Sequence, residues 1–347
     1  MTPQIYALDE DIIGFEALFI SMEKCKKNVL WKDSVAHFHL NGIEEVLKLE
    51  KQLKDGSYRA RPPKEFTITS PKKREIVSIA FRDRVYQRSM NDNVVYPVMS
   101  KQFIFDNLAC QKGKGTDLAR ERLKEFLHSF YRKHGRCGYV LKCDIQGYYP
   151  NMRHEVAEAT FKKRLPPSVY RRTETVLREQ YAGDTGYNPG SQLIQIAGIS
   201  VLSPLDHYIK EKLRIKYYLR YMDDFILIHE DEKYLRWCLE KIREFLAKDS
   251  FTLHPKKTQV KSITERIIFL GFEFYLTPTG KVVLFVCPET VRRERKKLYR
   301  LVAKAKRGEI PRSKVDDCFE CDIAHIRKGN SWKLEQRFRA YYKSLWR

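Results

Sequence analysis

No stretch of this sequence approaches the roughly 20 consecutive apolar residues that a membrane-spanning helix needs. The first residues, "MTPQIYALDEDIIGFEALFI", are acidic where an export signal is basic, so no such signal is expected. The eight cysteines, Cys25, Cys110, Cys137, Cys143, Cys238, Cys287, Cys318 and Cys321, are scattered and lack the density of a secreted disulfide scaffold. A reducing cytoplasm is therefore the expected location. Internal repeats and low-complexity linkers are missing too. Acid is in short supply: 44 Asp and Glu stand against 66 Lys and Arg, a formal charge of +22. Such a surplus suits a polyanionic partner, and without a spanning run nucleic acid fits better than a membrane. What is present is a globular composition. Hydrophobic residues are 43% of 347, enough for two or three modules around a sizeable core.

Periodicity outlines the organisation. Val46, Leu47, Leu49 and Leu53 lie among charges and predict a helix that Gly56 ends. "EFTITSPKKREIVSIAF" (65–81) alternates as two short strands around a turn at Pro71-Lys72-Lys73. Residues 83–136 read as helical, interrupted by "CQKGKGT" (110–116). "GYVLKCDI" (138–145) is a strand ending at Asp144, residues 152–182 are helical, and an apolar helix runs through Leu205. "YLRYMDDFILI" (218–228) reads as a hairpin, and 231–248 as an amphipathic helix. "IIFLGFEFYL" (267–276) and "GKVVLFV" (280–286) read as strands. In the tail, nine of the residues 291–307 are Lys or Arg, while Leu298, Leu301, Val302 and Ala305 keep a helical stripe. Helices and strands without regular alternation predict an α+β fold.

Asp223 and Asp224 sit at the bend of an apolar hairpin, and Asp144 ends another strand. An Asp in a hairpin turn is commonplace. Were the strands neighbours, however, three carboxylates would meet at one edge, and such a cluster keeps its charge only with a cation present. All-oxygen ligands suit Mg²⁺ or Mn²⁺. Two such ions about 4 Å apart stabilise both oxygens of an in-line phosphoryl displacement. "CQKGKGT" does not follow the Walker pattern, so NTP hydrolysis is not expected. Cys318 and Cys321, with His325 following, lack a fourth ligand, so zinc is not expected either.

"YMDD" (221–224), "LKCDIQGYYPNM" (141–152), "SPKKREIVSIAFRDRVYQ" (70–87), "LHPKKTQV" (253–260) and "FLGF" (269–272) follow one another as the motifs of a known family do. The chain resembles a bacterial reverse transcriptase. The resemblance implies a right-hand polymerase: N-terminal helices and fingers over 1–136, a palm over 137–151 and 186–286 with a helical insertion at 152–185, and a basic helical thumb over 287–347. It implies two Mg²⁺ ions, with Mn²⁺ the alternative, held by Asp144, Asp223 and the Ile145 carbonyl, with Asp224 in support. Tyr149 would lie under the sugar and select deoxynucleotides. Lys72 and Arg74 would grip the incoming triphosphate, with Lys73 replacing Lys72 if the register shifts by one. Gly190 and Gln195 would line the nucleotide site. Lys257 would protonate the pyrophosphate leaving group. Phe269, Leu270 and Gly271 would form the primer grip. Lys112 and Lys114 would lie near template or primer, and Arg292, Arg293 and Lys296 would track the duplex backbone. The implied partners are an RNA template, a DNA or RNA primer and dNTPs, with room for an accessory protein or an associated non-coding RNA.

The chain also departs from the common pattern. Aligned through Gly190, Pro189 stands where Gln is usual, and Ile194-Gln195 where Ser-Pro is usual. This resembles the enzymes of diversity-generating retroelements. The next residues, Gly198 to Leu202, do not match that group, which keeps phage-defence and retron-like lineages open. Altered contacts at 189–195 imply error-prone copying. Two further readings stand beside templated cDNA synthesis: non-templated or protein-primed synthesis, and a catalytically dormant RNA-binding scaffold.

Overall fold

The computed structural model describes residues 10–69, 74–188 and 190–347, with Arg74 described by its backbone alone. Lys72, Lys73 and Pro189 lie outside the described residues.

The strands form three antiparallel sheets. β1 (Lys64–Ile68) pairs with β2 (Arg74–Ser78), so the expected hairpin forms with Arg74 opposite Ile68. β3 (Tyr139–Asp144), β4 (Tyr217–Tyr221), β5 (Asp224–His229) and β6 (Gln259–Ser262) build a sheet of order β4-β5-β3-β6. β7 (Ile267–Phe269), β8 (Phe272–Leu276) and β9 (Val282–Val286) build the third. Both faces of the four-stranded sheet are covered, which is why the central strands β5 and β3 are largely apolar. Leu141, Cys143, Tyr218, Phe225 and Leu227 join a core with the N-terminal helices and the helices Gln192–Val201 and Glu232–Ala247. Val140, Tyr217, Leu219, Ile226 and Ile228 join a second core with the helix Thr116–His134, the third sheet and the C-terminal helices.

One expectation is corrected. Residues 267–276 are not one strand but a hairpin. Leu270 (φ 46°) and Gly271 (φ 83°) both take the left-handed conformation that a two-residue turn requires. After the helix Glu232–Ala247 the strand starts only at Gln259, because the backbone turns through 254–258, with the His254 N–H donating to the Asp144 carbonyl at 2.7 Å. The C-terminal segment forms three helices, Pro288–Lys306, Arg312–Arg327 and Trp332–Leu345. Leu298 and Val302 are buried, and Leu301 and Ala305 half-buried, as their spacing predicts. Tyr342 stacks on Phe319 at 4.0 Å, and Arg339 donates to Glu335. Among the described residues no helix is long and apolar enough to cross a membrane.

The β4–β5 hairpin is held from inside. Arg220 on β4 and Asp206 in the helix Ser203–His207 are both fully buried. Arg220 donates through Nε to Asp206 Oδ1 (2.7 Å) and through Nη2 to Oδ2 (2.6 Å), a bidentate pair. Tyr218 Oη donates to the same carboxylate at 2.6 Å. The remaining guanidinium donors reach the carbonyls of Met222 (3.0 Å) and Ile199 (3.1 Å). Removing one partner of such a pair leaves the other charge buried alone, at a cost of about 3–5 kcal/mol. Asp206→Ala is expected to lose that much in urea unfolding. A loss under about 1 kcal/mol, the scale of a surface pair, would show that the pair does not hold the hairpin.

Candidate active site

The β3–β5 register sets Asp144 directly opposite Asp224, with both side chains on one face. Tyr221 pairs with Asp224, so Met222 and Asp223 alone make the turn. Met222 has φ 58°, a left-handed conformation that is costly for a side chain of its size. The Ile145 N–H donates to the Asp223 carbonyl at 3.2 Å, tying this turn to the end of β3. The three acids therefore gather at one end of the sheet, as expected if the strands are neighbours.

Two lysines meet them. Lys257 Nζ donates to both oxygens of Asp144, at 2.8 and 3.0 Å. Lys142 Nζ lies 3.4 Å from Asp224 Oδ2. Burial raises the Asp223 carboxyl above its ordinary range, and the charge of Asp144 adds to the shift. Burial also pushes Asp224 up to about 7, against the opposing pull of Lys142. Among the described residues, no three Asp, Glu, His or Cys side chains are already grouped around one ion position. The donors nonetheless suit a hard divalent cation. Asp224 Oδ1 is buried without a hydrogen-bond partner, and the acids raise one another's affinity for positive charge.

Tyr149 is half-buried beside this cluster, with Cys110 and Asp223 acting on its hydroxyl, which has no partner. Its ring lies against the helix Gln192–Val201 at Gly198, where a Cβ would stand 2.5 Å from Oη and 2.9 Å from Cζ. Only glycine leaves room for the ring. Gly190 is equally constrained, since a Cβ there would lie 2.9 Å from the Val77 carbonyl of β2. Asn188 donates to the Glu75 carbonyl at 2.9 Å, so this loop is fastened to the β1–β2 hairpin. Ser191 caps the helix that follows. Gln195 lines an open cavity of about 260 Å³ with Asn91, Lys112 and Gln192, and Cys110 on its wall contacts Met222 Sδ at 3.9 Å.

Other predicted residues fall elsewhere. Phe269 is fully buried in the second core, Leu270 packs half-buried against the same core, and Gly271 is half-buried at the turn. Lys114 turns its ammonium inward onto the carbonyls of Phe105 (2.8 Å) and Asn107 (2.9 Å), which occupies its charge within the chain. Lys112 is exposed over the Tyr96 ring. Arg292, Arg293 and Lys296 are exposed on Pro288–Lys306, and Arg293 pairs with Glu294 at 2.9 Å. Cys318 is half-buried and Cys321 exposed. Sequence reasoning missed Arg220, whose partner is remote in the chain, and Lys142, although it stands in the quoted motif two residues before Asp144.

An antiparallel sheet presenting these acids, with helices on its flanks and a helical C-terminal bundle, defines a right-hand polymerase. Residues 63–274, well over half of the chain, match the family described as "Reverse transcriptase (RNA-dependent DNA polymerase)", and the chain belongs to that family. In fold it is similar to telomerase from Candida albicans in complex with a TWJ fragment of telomeric RNA, at 14% identity over 83% of this chain and 55% of that one, with a TM-score of 0.50. It is also similar to apo telomerase from Candida tropicalis truncated from its C-terminal domain, at 14% identity over 67% and 58%, with a TM-score of 0.48. The chain thus spans little more than half the length of either. No curated protein sequence matches it.

Gly198→Ala is expected to force the Tyr149 ring aside and to destabilise the fold by about 1–3 kcal/mol. Thermal or urea unfolding measures this. Unchanged stability would mean that the ring moves freely.

Proposed function

We propose that the chain synthesises DNA on an RNA template by in-line nucleotidyl transfer. The observation that carries this reading is Asp144 standing opposite Asp224, with Asp223 in the adjoining turn, in a chain of the reverse transcriptase family. Asp144, Asp223 and the Ile145 carbonyl would hold Mg²⁺, or Mn²⁺ in its place, with Asp224 supporting. When bound, the divalent ions supply charge stabilisation at the attacking and leaving oxygens. The chain's own groups do the rest. Tyr149 would bear on the sugar of an incoming nucleotide. Arg74 at the start of β2, together with Lys72, would bind triphosphate. Lys257 Nζ stands 2.8 Å from Asp144 Oδ1, and this side chain would hand a proton to departing pyrophosphate. The Leu270–Gly271 turn would bear on the primer end, and Arg292, Arg293 and Lys296 on the duplex backbone.

In this reading residues 1–136 are the N-terminal helices and fingers. Residues 137–151 and 186–286 are the palm, 152–185 its helical insertion, and 287–347 the thumb. Ile194 and Gln195 support placing the chain near the bacterial diversity-generating type, with error-prone copying.

Primer extension on an RNA template, with each dNTP alone and all together, tests the activity. Asp223→Ala should fold and incorporate nothing, whereas turnover at the wild-type rate would sink the assignment. Tyr149→Ala should raise ribonucleotide incorporation by about 10-fold or more, the scale of losing one well-placed contact. Unchanged sugar selectivity would remove Tyr149 from the nucleotide site.

A further inference from the structure

We propose that Lys142 is a positioning residue that fixes the catalytic carboxylates relative to the strand carrying the Leu270–Gly271 turn. Lys142 precedes Asp144 by two residues on β3, so both side chains emerge on the same face. Its Nζ donates to the carbonyl of Ile268 at 2.7 Å and stands 3.4 Å from Asp224 Oδ2. Ile268 belongs to β7 and lies two residues before Leu270. The four-stranded sheet and the third sheet share no strand, yet this ammonium touches both. An ammonium has three donors and no acceptor, so it can hold a carbonyl and a carboxylate together. The side chain is 23% exposed, so both contacts lie at the edge of the protein, where water reaches them. A lysine serving only to balance Asp224 would have no need of a carbonyl on another sheet.

The inference rests on the polymerase reading and adds a geometric requirement to it. In-line transfer needs the primer hydroxyl and the acids placed to within a fraction of an ångström. Besides the second core that both sheets share, the two contacts of Lys142 give a direct polar path from the turn at the primer end to Asp224. Loss of the side chain frees that spacing without removing any group that would touch substrate.

Single-turnover primer extension on an RNA template tests this with wild type, Lys142→Met, Lys142→Arg, Asp224→Asn and the double variant Lys142→Met with Asp224→Asn. Folded fraction is monitored by circular dichroism and urea midpoint, and rates are expressed per folded enzyme. Lys142→Met is expected to lower the rate constant at saturating primer and nucleotide by roughly 10- to 100-fold, with the nucleotide KM little changed. Lys142→Arg, which keeps both charge and donors, should recover most of that loss. In the Asp224→Asn background, Lys142→Met should still cost several-fold, because the carbonyl contact is lost separately from the charge. No further cost there would mean that Lys142 only balances Asp224, and would overturn the proposal. So would a Lys142→Met rate within about twofold of wild type, or no recovery in Lys142→Arg. If wild type itself extends no primer, the polymerase reading falls and takes this inference with it.

Discussion

Arg220 and Asp206 form the constraint on which the rest of the site depends. A fully buried ion pair is not a cheap source of stability, since well-packed apolar residues often serve as well. This pair does something that apolar residues cannot. The guanidinium that satisfies Asp206 also donates to the carbonyls of Met222 and Ile199. One side chain therefore links the acid-bearing turn, the helix Gln192–Val201 and the helix Ser203–His207. The same helix Gln192–Val201 carries Gly198, against which Tyr149 lies. The positions of the acids and of Tyr149 are thus referred to a common buried charge.

The electrostatics of the site follow from its position at the end of a covered sheet. Burial raises both Asp223 and Asp224, so the fold without a cation holds its acids against their preference. Lys257 and Lys142 relieve this from opposite sides, one at Asp144 and one at Asp224. Neither lysine is equivalent to a divalent ion, because an ammonium offers donors and one charge whereas a metal binds several oxygens at once. Raised acids with one orphaned oxygen are poised to exchange part of this pairing for a stronger cation. Away from the acids, the exposed cationic face of Pro288–Lys306 has its apolar stripe packed beneath it, which leaves that charge directed outward.

The parts of this architecture carried by local pattern were legible in the sequence. The β1–β2 hairpin, β3 ending at Asp144 and the hairpin around Asp223 all follow from alternation and spacing. The parts decided by tertiary contacts were not. Arg220 looked like one more polar residue of an apolar strand, since its partner lies 14 residues away across a packed helix. Lys114 was expected near template or primer, but nothing local showed that backbone carbonyls would capture its ammonium. Phe269 was expected at the primer end, but it is fully buried in the second core, with Leu270 half-buried against it at the β7–β8 turn. That turn was missed because a leucine in the left-handed conformation leaves no signal in composition. Gly271 was the one cue available.

Two residues with substantial side chains, Met222 and Leu270, occupy left-handed positions at the two turns that matter most. Each costs about 1–3 kcal/mol relative to a residue suited to that conformation. Asn or Gly would fold either hairpin more easily. The strain is therefore tolerated for what these side chains present. Met222 stands beside Asp223 and contacts Cys110, and Leu270 packs half-buried against the second core. Strained turns relax unless their surroundings over-determine them. At Met222 the surroundings are the Arg220 donor and the Ile145 amide. At Leu270 they are the buried neighbours Phe269 and Phe272, with His325 tilted against Phe272 at 4.8 Å. Lys142 lies between the two turns, fastened to the strand before one and beside the acid after the other. Their separation is then a property of folded contacts and not of either turn alone. That is the condition under which a reacting chain end can be held against a fixed set of acids.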